Sequence, residues 1–286
     1  MTEAHLPARG SDHLIAIDLA GFTRRAWHGH VNANRDEPER AGPTALRSLA
    51  RVLRARQPTL LIVAGEGQNL FRKKTFPAYK AGRPPRPDAL IEMERAVTTA
   101  FAMAGVAPWC VGGLEADDVL HAAALRGRSM GLPVVIVTHD KDADQLVNDA
   151  ARITVWDGDE SVKDEAAVLA KWGMAPTRLP EVLALAGDRG DGIPGVDGWG
   201  IKKAVELLAH AGERHLDVLL KDGGHWWVPE KWRTKFVANR DAILQSLDLV
   251  TLRGEWLAAK PQFEASRVDP LHVAMWLANE AERLAP

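Results

Sequence analysis

The sequence predicts an α/β fold with a mainly parallel central sheet flanked by helices, followed by a smaller helical region. Three observations predict it. Short runs at 14–17, 59–63 and 134–137 are apolar almost throughout and rich in branched side chains, as strands covered on both faces are. Helical periodicity occupies 44–56, 89–104 and 115–130 between them, and strands that alternate with helices form parallel sheets. Beyond about residue 163 helical patterns dominate, broken by Pro176, Pro180, Pro194 and a glycine-dense stretch at 187–200. The expected division is an α/β part over 1–175 and a helical part over 176–286.

Taken in order, the elements place acids where ligands are expected. In an open parallel sheet, ligands bind beyond the carboxyl ends of the strands. Asp18 follows the first strand directly, and the second strand runs out into Val63-Ala64-Gly65-Glu66-Gly67. A Gly-Gly turn then opens a helix bearing Glu115, Asp117 and Asp118. Acids in a first turn also favour the helix dipole, and on a regular helix Glu115 and Asp117 would face apart. Both reach one site only if Glu115 precedes the regular helix. The third strand leads into Thr138-His139-Asp140-Lys141-Asp142, where the acids could equally serve a turn. A fourth strand is expected at 153–156. Convergence favours chemistry over caps and turns: carboxylates crowded at one sheet edge repel one another without a cation. An all-oxygen ligand set suits Mg²⁺ or Mn²⁺.

Two stretches carry the opposite charge. Residues 71–87 hold six cations (Arg72, Lys73, Lys74, Lys80, Arg83 and Arg86) and no acid, interleaved with Phe71, Phe76 and Tyr79. This reads either as a solvated proline-rich linker or as a grip on single-stranded nucleic acid by charge and stacking. Further on, Gly195, Gly198 and Gly200 precede Lys202, Lys203 and a helical run. Glycines let the backbone approach a phosphate and the new helix aims amide groups at it, although most glycine-rich turns are only turns. Trp226, Trp227 and Trp232 are expected to pack the helical part.

Composition sets the limits. A chain of 286 residues has core enough for one large or two modest domains. A net charge of −2 argues against a simple basic nucleic-acid binder, but the two signs are segregated along the chain. No apolar stretch approaches the roughly 20 residues of a membrane span, and no export signal is visible. Cys110 stands alone, which excludes an internal disulfide and a cysteine zinc cage; a reducing cytoplasmic setting is expected. His28 and His30 lack a third ligand nearby, so a histidine metal site is not expected.

Five segments in order resemble the 5′-nuclease (flap endonuclease) family, which includes the N-terminal 5′-3′ exonuclease domain of bacterial DNA polymerase I and stand-alone bacterial and phage members. They are Ile17-Asp18; Phe71-Arg72 with Tyr79-Lys80-Ala81-Gly82-Arg83-Pro84-Pro85; Glu115-Ala116-Asp117-Asp118-Val119; Thr138 to Asp142 with Gln145-Leu146-Val147; and Gly187-Asp188 with Asp191-Gly192-Ile193-Pro194-Gly195-Val196. The resemblance runs from about Leu14 to Leu208 and implies a PIN-like core with a helix–turn–helix-type DNA-binding region. One metal would be held by Asp18, Glu115 and Asp117, a second by Asp117, Asp140, Asp142 and Asp188, with Asp118 and Asp191 nearby or bridged by water. Arg72, Tyr79, Lys80 and Arg83 would belong to an arch segment at about 71–100 through which a 5′ end passes, Lys80 and Arg83 steering the phosphate. The hairpin at 187–203 would hold duplex DNA, with K⁺ on its backbone carbonyls. A free-standing monomer acting on DNA with 5′ ends, flaps or branches is expected, beside the nucleoid and away from membranes.

One departure stands out. The family carries an Asp at the end of the second strand, six residues before Phe-Arg; here that position is Gly65. Either Glu66 substitutes or the first-metal site is weakened. The expected function is therefore two-metal hydrolysis of DNA phosphodiester bonds, as a 5′-3′ exonuclease and flap endonuclease. The alternative is a branched-DNA-binding protein with weak or no nuclease activity; a PIN-like ribonuclease and a small-phosphate enzyme are further rivals. Smaller departures are Trp199 between the hairpin glycines and Gly192 where Asn is common.

Overall fold

The computed structural model of the chain describes residues 6–31, 37–68, 70–221 and 227–286. In chain order the first elements are β1 (Leu14–Asp18), α1 (Leu19–Val31), α2 (Ala41–Arg56), β2 (Leu60–Ala64), α3 (Phe71–Thr75), α4 (Asp88–Met103), α5 (Ala116–Ser129), β3 (Val134–Val137), β4 (Ile153–Trp156) and β5 (Val162–Lys163). There follow α6 (Glu165–Trp172), α7 (Leu179–Ala186), α8 (Ile201–Ala211), α9 (Leu216–Lys221), α10 (Glu230–Ala238), α11 (Arg240–Val250), α12 (Glu255–Ala258), β6 (Ser266–Arg267) and α13 (Pro270–Arg283).

The chain divides into two units: residues 6–70, 85–164 and 253–286 form one, and residues 71–84 with 165–252 the other. The first is built on a sheet of strand order β5-β4-β3-β1-β2-β6. β1 lies between β2 and β3, parallel to both, and β3 is parallel to β4. The expected strands and parallel core are therefore present; β5 and β6 add short antiparallel edges. All five residues of β1 and of β2 are buried, which is why neither strand alternates in polarity. Gly127 lets α5 lie against β3, since a Cβ there would fall on Val134, and Gly254 lets its segment approach the α5 backbone at Ala122.

The C-terminal segment also belongs to this first unit. Asp269 caps α13, its Oδ1 accepting from the Leu271 and His272 amides at 3.0 and 3.1 Å, with Pro270 in the first turn. The buried face of α13 carries Val273, Ala274, Leu277 and Ala281 and joins the core formed by α2 and the sheet. An apolar face of this kind must be covered, and the partner it covers is set by the tertiary fold.

The second unit is helical apart from an isolated bridge between Asp188 and Ile193. The basic segment 71–84 is part of it. Arg72 is 4% exposed, and its guanidinium donates to the Leu249 carbonyl at 2.7 Å and the Thr251 carbonyl at 2.9 Å. It pins α3 to the end of α11. Trp227 packs edge-on against Phe236, ring centroids 5.2 Å apart, and Trp199 meets Trp232 at 5.9 Å; Trp227 and Trp232 thus pack the helical part as expected. Trp226 lies outside the described residues.

Candidate metal centre and nucleic-acid interface

In the first unit the register of β1 against β3 sets the candidate centre. Ile17 pairs with Val137, so Asp18 and Thr138 leave the sheet side by side. Thr138 Oγ1 donates to Asp18 Oδ2 at 2.7 Å and accepts from the Asp140 amide at 3.0 Å. Asp18 Oδ1 accepts from the Gly21 amide at 2.7 Å, so the same carboxylate also starts α1. A side chain at Gly21 would collide with it. Burial pushes the Asp18 carboxyl upward and the nearby Asp140 charge adds to this; the Gly21 amide, Thr138 hydroxyl and Arg24 guanidinium oppose them without cancelling the shift. A buried carboxylate whose charge is disfavoured and which faces a second carboxylate is a place where a cation lowers the energy.

Glu115 joins this edge through the backbone. The Gly67 amide donates to the Leu114 carbonyl at 3.1 Å, and β2, from which Gly67 extends, pairs its Ala64 with Asp18. Glu115 is the N-cap of α5 in extended conformation (φ −87°, ψ 165°), and the regular helix begins at Ala116. The condition for Glu115 and Asp117 to serve one site is thus met. Asp118 serves the backbone instead, its Oδ2 accepting from the Glu115 amide at 3.1 Å and its Oδ1 from the Arg253 amide at 2.9 Å. It caps α5 and holds Arg253. In the loop after β3, Asp140 Oδ1 accepts from the Asp142 amide at 2.9 Å. Asp144 turns away, fully buried, to pair with Lys163 Nζ on β5 at 2.6 Å. His139 packs on Phe22 and accepts from Arg25 at its Nδ1, 2.8 Å away. Burial, then Arg25, hold its pKa below the usual value, and an accepting Nδ1 places the ring proton on Nε2.

Among the described residues no three acids already stand together at coordinating distance. The donor chemistry of Asp117, Asp140 and Asp142 nonetheless fits a hard divalent cation. The end of β2 fits one less well. A Cβ on Gly65 would lie 2.4 Å from Cys110 Sγ, well inside contact distance, so a thiol stands where a side chain at this position would begin. Burial, then Glu66, push that thiol's pKa up, which keeps it a neutral and poor ligand. Glu66, the expected substitute, pairs with Arg24 Nη2 at 3.5 Å. Arg24 also bonds Glu94 at 3.3 Å through Nε, and Glu94 in turn holds Arg86 at 2.7 Å. Glu66, Glu94 and Arg86 line a cavity of about 690 Å³ that Gly65 and Cys110 also border.

In the second unit, Asp191 gathers the basic segment. It accepts from the Tyr79 hydroxyl at 3.2 Å and pairs with Lys80 at 3.6 Å and with Arg83. The Lys80 amide donates to the Asp191 carbonyl at 2.8 Å while Lys80 holds a left-handed backbone, φ 56°, a strained conformation for a non-glycine residue. Gly192 is required because a Cβ there would strike the Ala78 carbonyl. Asp188 Oδ1 accepts from the Gly190 amide at 2.8 Å. Two expectations change. Arg72 is 4% exposed and donates from Nε and Nη2 to backbone carbonyls. Tyr79 is 3% exposed, so it cannot stack on a base; Phe71, at 40% exposure, can. Both corrections have one cause, since burial of the segment depends on distant helices.

The hairpin leads from Gly195 through Gly198, φ +60° and +69°, to Gly200, the N-cap of α8. Lys202 is exposed, and Lys203 Nζ donates to the Gly198 carbonyl at 2.9 Å.

Two family profiles match the chain: the 5′-3′ exonuclease N-terminal resolvase-like domain over residues 13–173, and the 5′-3′ exonuclease C-terminal SAM fold over 174–271. A flap endonuclease Xni of Pectobacterium carotovorum is 33% identical over 84% of this chain and 89% of its own length. DNA polymerase I of Rhizobium leguminosarum is 32% identical over 87% of this chain, which spans 25% of that protein. The T5 D15 protein, crystallised with metal ions, is similar in fold, with a TM-score of 0.69, 17% identity, and coverage of 96% of this chain and 100% of its own.

Proposed function

The chain belongs to the 5′-3′ exonuclease family, and from that premise we propose that it is a structure-specific 5′-nuclease that hydrolyses phosphodiester bonds in DNA with 5′ ends or flaps at the edge where β1, β3 and α5 meet. The carrying observation is the Asp18–Thr138–Asp140 chain of hydrogen bonds, which fixes two strand ends as one surface. Divalent cations, when bound, would activate water and offset charge on the leaving oxygen; Mg²⁺ and Mn²⁺ are the ions this donor set suits. Asp117, Asp140 and Asp142 would hold them, with Asp18 and Glu115 on the β2 side. Thr138 fixes the rotamer of Asp18, and Arg25 meets His139 at its Nδ1.

In the second unit, Asp191 orients Lys80 and Arg83, whose cations would meet backbone phosphate, while Asp188 shapes its turn. Gly195, Gly198, Gly200, Lys202 and Lys203 would receive duplex phosphates at the α8 N-terminus. K⁺ on the hairpin carbonyls would share the Gly198 oxygen with the Lys203 ammonium. A cytoplasmic setting beside DNA follows from this substrate; among the described residues no helix is long and apolar enough to cross a membrane. A branched-DNA binder that does not cut rests on Gly65 alone and is not favoured by the kinship.

The test is cleavage of a 5′-flapped duplex in Mg²⁺ or Mn²⁺, compared with a matched blunt duplex. Cutting near the flap junction that stops with EDTA is expected. Asp117→Ala is expected to lower the rate by about 10²- to 10³-fold while sparing most DNA affinity. Binding without cutting in either metal would overturn the reading.

A further inference from the structure

The end of β2 presents a combination that two-metal chemistry does not need. Where a ligand carboxylate would stand, Cys110 Sγ fills the space over Gly65. Beside it stands a cation: Arg24, with a side chain 31% exposed, joins Glu66 to Glu94. Its Nε and Nη2 serve those two acids, while Nη1 has no partner among the described residues. Arg24 and Asp18 also act on each other electrostatically. The β2 side of the edge therefore lacks the family's carboxylate and carries a guanidinium held between Glu66 and Glu94. A divalent cation there would be repelled by a guanidinium that the fold holds in place.

We propose that Arg24 takes the place of the first divalent cation, a guanidinium on α1 that meets the scissile phosphate from the β2 side while divalent metal is confined to the Asp140 side. Arginine suits this role because its donors lie in a fixed planar fork that matches phosphate oxygens. Glu66 and Glu94 hold the group from the cavity wall and leave Nη1 to the substrate. On this assignment Glu66 is the keeper of Arg24 and not a ligand. The proposal rests on the nuclease reading for its reaction, but its metal-binding consequence does not.

The experiment titrates Mn²⁺ into the full chain without DNA by calorimetry, for the wild type, Arg24→Gln and Arg24→Lys, alongside thermal unfolding and flap cleavage over a range of Mn²⁺. The wild type should show tight binding at a single class of site. Arg24→Gln should gain a second class or bind there about tenfold more tightly, cut about 10²-fold more slowly at low Mn²⁺, and recover as Mn²⁺ is raised. Arg24→Lys should keep the wild-type isotherm. Two equivalent tight sites in the wild type, or an Arg24→Gln isotherm unchanged in a folded protein, would overturn the proposal. So would a cleavage defect in Arg24→Gln that tracks lost thermal stability and ignores Mn²⁺. If no variant cuts any flap, the nuclease reading fails, and the calorimetry still decides whether Arg24 excludes metal.

Discussion

Single residues carry most of the departures from the sequence reading. Gly65 is legible in sequence only as a missing acid; the structure adds that Cys110 has taken its space. Gly65→Ala should therefore cost at most about 1 kcal/mol, since the exposed Cys110 side chain can turn aside, and Cys110→Ala in the same chain should remove that cost. Thermal or urea unfolding of the single and double variants checks this; additive losses would refute the contact. A second prediction concerns His13, which is fully buried with its Nδ1 2.7 Å from the Ser11 carbonyl. Burial, more than the Arg56 charge, holds its pKa below the usual histidine value; the Ser11 carbonyl and Asp12 oppose that shift. Between the folded and unfolded pKa values the unfolded chain binds the extra proton, so stability is complete above the unfolded value and declines as pH falls through the window below about 6.5. His13→Phe should flatten urea midpoints across that window; an unchanged slope would exclude His13 as its source. The acids at 18, 115, 117, 140 and 142 are legible because each follows a strand end or opens a helix. The burial of Arg72 and Tyr79 is not, since nothing local distinguishes a cation facing solvent from one facing carbonyls at Leu249 and Thr251.

At the scale of elements, long periodic segments are readable and short or partner-dependent ones are not. The four parallel strands and α2, α4 and α5 follow their patterns closely. α1 escapes the sequence reading: Gly21, Gly29 and the aromatics Phe22 and Trp27 dilute its helical character, and it is fixed by the Asp18 carboxylate at its start. β5 and β6 span two residues each, too few for any alternation to show. α13 has a clear apolar face, but its burial in the first unit's core is a tertiary fact. Leu277 is fully buried there, so Leu277→Ala should cost about 2–5 kcal/mol. A loss below about 1 kcal/mol in urea unfolding would mean that α13 is not part of that core.

For the molecule as a whole, the two family segments meet near residue 173, whereas the compact units interleave: the first takes back 253–286 and the second takes 71–84. A boundary drawn along the chain is thus less informative than the sheet edge, where residues far apart in sequence share one surface. That edge is the basis of the functional reading, and it makes a local claim about where cations sit. The most direct measurement is anomalous diffraction from crystals soaked in Mn²⁺. The account predicts a peak about 2 Å from carboxylate oxygens of Asp140 and Asp142, and none over Gly65. Manganese bound elsewhere on the chain, with those two carboxylates bare, would contradict it.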